Sequence, residues 1–153
     1  VASRVLVSLR VRATPQRAFE AFTHEIGQWW RPNVLFQFTP RSPGVLSFDG
    51  EERLVETLPN GKVFEVGKVS VWDPPRRLVV GWRQAAFEPD QHTEVEVTFE
   101  PVGEETRVTV THTGWDSVPS THVAKHGFPE PLFLRRHAEW WQALLAAMQE
   151  HLE

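Results

Sequence analysis

The hydrophobic period of this chain changes in a fixed order: two, then helical, then two for a long stretch, then helical again. VLVSLRV places Val5, Val7, Leu9 and Val11 on one side and Leu6, Ser8 and Arg10 on the other. That alternation is the mark of a strand with one buried face. ATPQRAFEAFTHEIGQWW follows, in which Thr14 caps a helix and Pro15 occupies its first turn, where a missing N–H costs nothing. Ala18, Phe19 and Phe22 face inward at helical spacing, and Gly27 is expected to separate this helix from a short second one ending in Trp29 and Trp30.

From Pro32 to about Thr113 the pattern is strand and turn. FQF, VLSF and RLVET are short strands, and the Asn60-Gly61 pair of PNGK predicts a tight hairpin. VFEVGKVSVW mixes both alternations, which places Gly67 at a bulge or strong bend. DPPRR turns the chain as a structural connection, and RLVVGW sets Leu78, Val80 and Trp82 on one face. In the last hairpin, around Gly103, Val95, Val97 and Phe99 share a face, as do Val108, Val110 and His112. The loop GWDSVPSTHVAKHGFPE leads to the closing helix. Its stripe is Leu134, Ala138, Trp141, Leu145, Met148 and Leu152, with His137 and Leu144 on the shoulder and Arg135, Glu139 and Glu150 on the far side. Strands in a run with helices segregated at the ends predict an α+β fold, a curved antiparallel sheet wrapped on a helix. No repeat or linker divides residues 1–153, so one domain is expected.

Composition narrows the function. A net charge of −4 offers no basic field for a phosphate backbone, so nucleic acid is not an expected partner. The absence of cysteine removes disulfides, thiolate nucleophiles and cysteine-ligated zinc together, and fits a reducing cytoplasm. No stretch reads as a membrane span or a signal peptide. There is no GxGxxG, P-loop or GxSxG elbow, so neither a nucleotide cofactor nor a serine nucleophile is expected.

Three stretches carry a resemblance to a known family: VRATPQRAFEAFTHEIGQWW, GKVSVWDPPRRLVVGWR, and TEVEVTFEPVGEETRVTVTHTGW with the closing helix that holds Trp141, Leu145 and Met148. In this order they resemble the START-like (SRPBCC) superfamily, and within it the group homologous to the C-terminal domain of the activator of Hsp90 ATPase. The resemblance covers nearly the whole chain. It implies the helix-grip (Bet v 1-like) fold, with two short helices after the first strand. That scaffold houses ligand carriers, cyclases and hydrolases, and co-chaperone-like modules, so it does not by itself select among them.

The aromatic residues supply the candidate site. Trp30, Phe36, Phe38, Trp82, Trp115, Phe128 and Trp141 gather at element ends and around the closing helix. Aromatic rings of this number either fill a core or wall a ligand pocket. With the resemblance, they are read as lining a cavity between sheet and closing helix, with His112 and His137 as its polar handles. The expected partner is a small apolar, aromatic or lipid-like ligand, bound by a monomer or homodimer without a cofactor. A chaperone-assisting interaction module is the alternative. An enzyme using His112, His137 or Glu65 as acid–base groups ranks third. His122 and His126 stand i, i+4, but no third ligand accompanies them, so no metal site is expected.

Overall fold

A computed structural model describes residues 4–31, 38, 44–85, 87–119, 122–125 and 127–153, the side chain of Val123 excepted. The expected strand FQF and the candidate Phe36 therefore lie, in whole or in part, outside the described residues. The described residues form β1 (Arg4–Val11), α1 (Pro15–Thr23), α2 (Ile26–Trp29), β2 (Val45–Asp49), β3 (Arg53–Thr57), β4 (Val63–Asp73), β5 (Arg77–Trp82), β6 (Thr93–Val102), β7 (Glu105–Thr113) and α3 (Glu130–Leu152). All seven strands join one antiparallel sheet in the order β1-β7-β6-β5-β4-β3-β2. This is the α+β helix-grip architecture.

The period-two segments behave as the alternation requires. Val5, Val7 and Val11 of β1, Val95, Val97 and Phe99 of β6, and Val108, Val110 and His112 of β7 are all buried on the face that receives α3. Register links them directly, with Val5 opposite His112 and His112 opposite Val95. In α1 the Thr14 hydroxyl accepts from the Arg17 N–H at 3.1 Å, satisfying a first-turn donor that the helix leaves open. Ala18, Phe19 and Phe22 then pack inward, with Phe19 5.2 Å from Phe99 between ring centroids.

Gly67 stands at the bend of β4. A Cβ there would lie 1.8 Å from the Gly81 carbonyl oxygen, so β4 and β5 approach more closely than any side chain at Gly67 permits. The pairing of β3 with β4 shifts register here, with Leu54 opposite Gly67 and Val55 opposite Glu65, and Val66 is the extra, buried residue. This bulge bends the sheet around α3.

Three expectations need adjustment. The break between the first two helices falls at His24 and Glu25, not at Gly27, which lies inside α2. Gly27 serves another purpose: a Cβ there would meet the Leu46 carbonyl oxygen at 2.8 Å, so α2 rests directly on β2. The Asn60-Gly61 hairpin is not the tightest kind. Leu58 N–H donates to Lys62 O and Gly61 N–H to Leu58 O, leaving Pro59, Asn60 and Gly61 as a three-residue loop. In α3 the buried face runs through Phe133, His137, Trp140, Trp141, Leu144, Leu145 and Met148, while Leu134 and Ala138 are only half-buried. The helix is rotated so that His137 lies at the centre of its face rather than on the shoulder. Indole burial at both 140 and 141 outweighs the smaller gain from Leu134 and Ala138.

Candidate functional site

The sheet delivers His112 and Trp82, and α3 delivers His137 and Trp141, to one buried cluster. His112 sits near the end of β7 with β1 and β6 on either side, so its imidazole has no path to water; it is fully buried, and His137 nearly so. Their ring centroids are 4.9 Å apart, and His137 Nε2 lies 3.1 Å from His112 Nδ1.

Hydrogen-bond directions around this pair follow from what each atom can do. The Thr93 hydroxyl donates its proton to the Trp82 carbonyl oxygen. It therefore accepts at its other contact, from His112 Nε2–H at 2.7 Å. A neutral imidazole with the proton on Nε2 presents a lone pair at Nδ1. Trp141 Nε1–H, which only donates, reaches that Nδ1 at 3.2 Å. His137 meets the same lone pair through Nε2 and so carries its own proton there. One threonine thus sets the tautomer of both histidines. Burial pushes His112 well below the usual histidine range, with the neighbouring His137 adding to the effect. Burial alone pushes His137 down to about 3. Both imidazoles are uncharged at neutral pH.

The wall around the dyad is aromatic. Trp82 lies 5.9 Å from His112 and 5.3 Å from Trp141, and Trp30 lies 5.7 Å from Trp82, 6.0 Å from Trp141 and 5.6 Å from Trp140. Phe38 stacks on Trp30 at 5.9 Å and meets Trp82 edge-on at 5.1 Å. On the other side Trp115 touches His112 at 5.2 Å, His137 at 5.0 Å and Phe133 at 4.9 Å. Among these rings Trp30 is the half-buried one and so the one that reaches solvent. Seven of the expected residues, Trp30, Phe38, Trp82, His112, Trp115, His137 and Trp141, are therefore brought together. Phe128 stands just before α3, half-buried against the core, with its N–H donating to Lys125 O at 2.9 Å. Phe36 falls outside the described residues.

Sequence reasoning missed Thr93, Phe133, Lys125 and Glu56. Thr93 was within reach, because it shares the alternating face of Val95 and Val97, and Phe133 stands i, i+4 from His137. Lys125 gave no signal. It sits in an aperiodic loop, yet its ammonium is buried and donates to Trp115 O at 3.0 Å and Glu130 Oε2 at 2.8 Å. Glu65, weighed as an inward carboxylate, is corrected by the bulge: its side chain is 38 % exposed and lies 3.7 Å from Arg53 Nη1. The carboxylate on the inner face is Glu56, 4 % exposed and opposite Leu46 and Phe64, where it accepts from the Gly44 N–H at 3.1 Å.

A second polar cluster anchors the far end of α3. Arg17 donates to both oxygens of Glu25, at 2.6 and 3.0 Å, and His151 Nε2 meets Oε1, which Arg17 Nη2 also holds, at 2.6 Å. The Arg17 bonds, then that of His151, hold Glu25 down to about 2. The corner that launches α2, and with it Trp30, is thereby tied to the end of α3.

Comparison with known proteins fits this arrangement. No protein of curated function matches the sequence significantly. Among solved structures, an HSP90 activator from Plasmodium falciparum aligns over 98 % of this chain and 96 % of its own, with 17 % identity and a TM-score of 0.64. An anthrahydroquino-γ-pyrone synthase aligns over 96 % of this chain and 95 % of its own, with 28 % identity and a TM-score of 0.59. CalC, a self-sacrificing resistance protein from Micromonospora echinospora, aligns over 97 % and 93 %, with 25 % identity and a TM-score of 0.63. The profile of the family described as activator of Hsp90 ATPase homolog 1-like protein matches residues 12–153, and with so nearly complete a match the chain belongs to that family.

Proposed function

We propose that the domain is a binding module for an uncharged, planar, mostly apolar small molecule, received between the ends of β5 to β7 and the first half of α3. The observation that carries this reading is the histidine pair. Burying two imidazoles among indoles carries a desolvation cost that an all-apolar core would avoid, and their bonds to Thr93 and Trp141 hold them in one arrangement. Such a wall, apolar and aromatic with a few fixed polar atoms, is the usual make-up of a ligand site. The likeness to a synthase named for a fused-ring pyrone supports the same reading.

Tryptophan fluorescence tests it directly, because five of the residues in the wall and its flanks, Trp30, Trp82, Trp115, Trp140 and Trp141, are the indoles that would report. A panel of fused-ring aromatic compounds is expected to quench emission saturably and to raise Tm by mass action. Trp30→Ala should weaken that binding about two- to tenfold, since stacking on one ring contributes about 0.5–1.5 kcal/mol. A broad panel that moves neither signal would refute the proposal. The family match favours a second reading, assistance to a chaperone. Purified Hsp90 should then show a raised ATPase rate with the domain, and an unchanged rate rejects that reading.

A further inference from the structure

The backbone groups that β1 turns away from the sheet follow from register. The two-residue turn Gly103-Glu104 closes β6 on β7 at the pair Val102–Glu105, so Glu105 bonds to β6. Alternation then turns Thr106, Val108, Val110 and His112 toward β1, where they meet Val11, Leu9, Val7 and Val5. Arg4, Leu6, Ser8 and Arg10 therefore aim their N–H and C=O groups outward. Arg10 O bears this out, since it accepts from Gln149 Nε2 of α3 at 2.8 Å. Among the described residues, nothing bonds the outward backbone groups of Arg4, Leu6 and Ser8.

Beside that bare stretch α3 leaves room. Arg135, Ala138, Glu139 and Gln142, one stripe of the helix, line with Leu6 and Val7 a groove of about 360 Å³. The charge around it is positive. Although the chain carries a net −4, its first nineteen residues hold four arginines and no aspartate or glutamate. Arg4 and Arg10 share the exposed outer face of β1 with Leu6. Among the described residues Arg4 and Arg135 have no ion pair, and Arg10 has a long one of 3.8 Å to Glu105. The carboxylate in the groove wall, Glu139, is engaged by Arg136 at 3.2 Å.

We propose that the outer edge of β1 receives an extended acidic segment of another protein as an added antiparallel strand, with carboxylates opposite Arg4 and Arg10 and one side chain turned into the groove. A row of donors and acceptors at strand spacing is matched by another extended backbone, and the arginines select its sign. A second copy of β1 would bring arginine against arginine, which charge opposes. This surface is separate from the buried histidine pair, so the proposal stands whether or not the interior holds a guest.

The test titrates the 15N-labelled whole chain at low ionic strength with a capped nonapeptide of valine and threonine. One version carries glutamates six positions apart, the spacing of Arg4 and Arg10, and its twin carries lysines there. The glutamate peptide is expected to shift the Leu6 and Ser8 amide resonances saturably and to slow their exchange with solvent. It should bind about tenfold more tightly than its twin, an advantage that salt diminishes. Arg4→Glu combined with Arg10→Glu should reverse the preference, and if that chain fails to fold, the titrations of the unaltered chain still decide. Equal affinities, shifts that leave Leu6 and Ser8 unmoved, or no binding at millimolar peptide would each overturn the proposal. So would protection of these amides that grows with the concentration of the chain alone, which would assign the edge to a second copy.

Discussion

A proton added to either buried histidine has no place in the arrangement at the centre of this molecule. His112 already uses Nε2–H toward Thr93 and its Nδ1 lone pair toward Trp141 and His137. Folded values below the ordinary 6.5 fix the sign of the pH dependence. Above about pH 6.5 both the folded and unfolded chains leave these groups neutral. As pH falls below that value the unfolded chain takes up two protons that the folded chain refuses, and stability declines until the folded values are reached. Each refused proton is worth about 1.4 kcal/mol per pH unit. Urea unfolding at pH 7 and pH 5 should show this loss, and His137→Phe should reduce its slope by about half. A pH-independent unfolding free energy between those values would contradict the assignment. His112 was legible in the sequence because it completes the alternation of Val108 and Val110, and Trp141 because it keeps step with Leu145 and Met148. The bonds between them were not, since a hydroxyl on another strand decides the tautomers. Lys125 was illegible for a plainer reason: its burial comes from a loop whose fold no local period encodes.

Between elements, two glycines that face each other are expected to differ sharply in tolerance. A Cβ at Gly67 would strike the Gly81 carbonyl at 1.8 Å, whereas one at Gly81 meets nothing closer than 3.5 Å. Gly67→Ala should lower stability by at least about 3 kcal/mol and Gly81→Ala by less than about 1 kcal/mol, read by thermal and chemical unfolding. Comparable effects would show that the bend does not depend on this contact. The Arg17–Glu25–His151 junction gives the second element-scale test. Glu25 at about 2, against an ordinary 4.5, contributes stability above about pH 4.5 that is lost as pH falls toward 2. Arg17 is 41 % exposed, so solvent screening leaves about 1 kcal/mol of this. Glu25→Gln should cost that much at pH 7 and nothing near pH 2. A cost that persists in acid would argue against the ion pair. Strand and helix positions were readable from period alone. The break before α2 was misplaced because Gly27 looks like an interruption, while the true constraint is how near α2 lies to Leu46.

At the scale of the whole molecule, β1 is an edge strand of the sheet that the described residues form. Among the described residues β1 pairs only with β7, and Leu6 on it is 54 % exposed, yet Arg4 and Arg10 stand at its two ends. An antiparallel second copy centred on Val7 would set these arginines opposite each other, the kind of charge that keeps edges from joining. Replacing both by valine should produce concentration-dependent association in sedimentation velocity. A variant that sediments as the parent does would assign the protection elsewhere. Sheet order lay beyond sequence reading, since nothing local announces that Ser8 will bond Thr109, 101 positions away.

That distance, together with the late position of α3, orders events on the ribosome. Translation delivers β1 first and its neighbour β7 some hundred residues later, and the helix that covers the concave face emerges after every strand. Until then Trp82, Val97, Val110 and the other inward side chains are bare, the state in which nascent chains stick to one another. The domain is expected to need sheltering by holdases before it can shelter or bind anything, and stalled chains ending before Glu130 should remain open to protease.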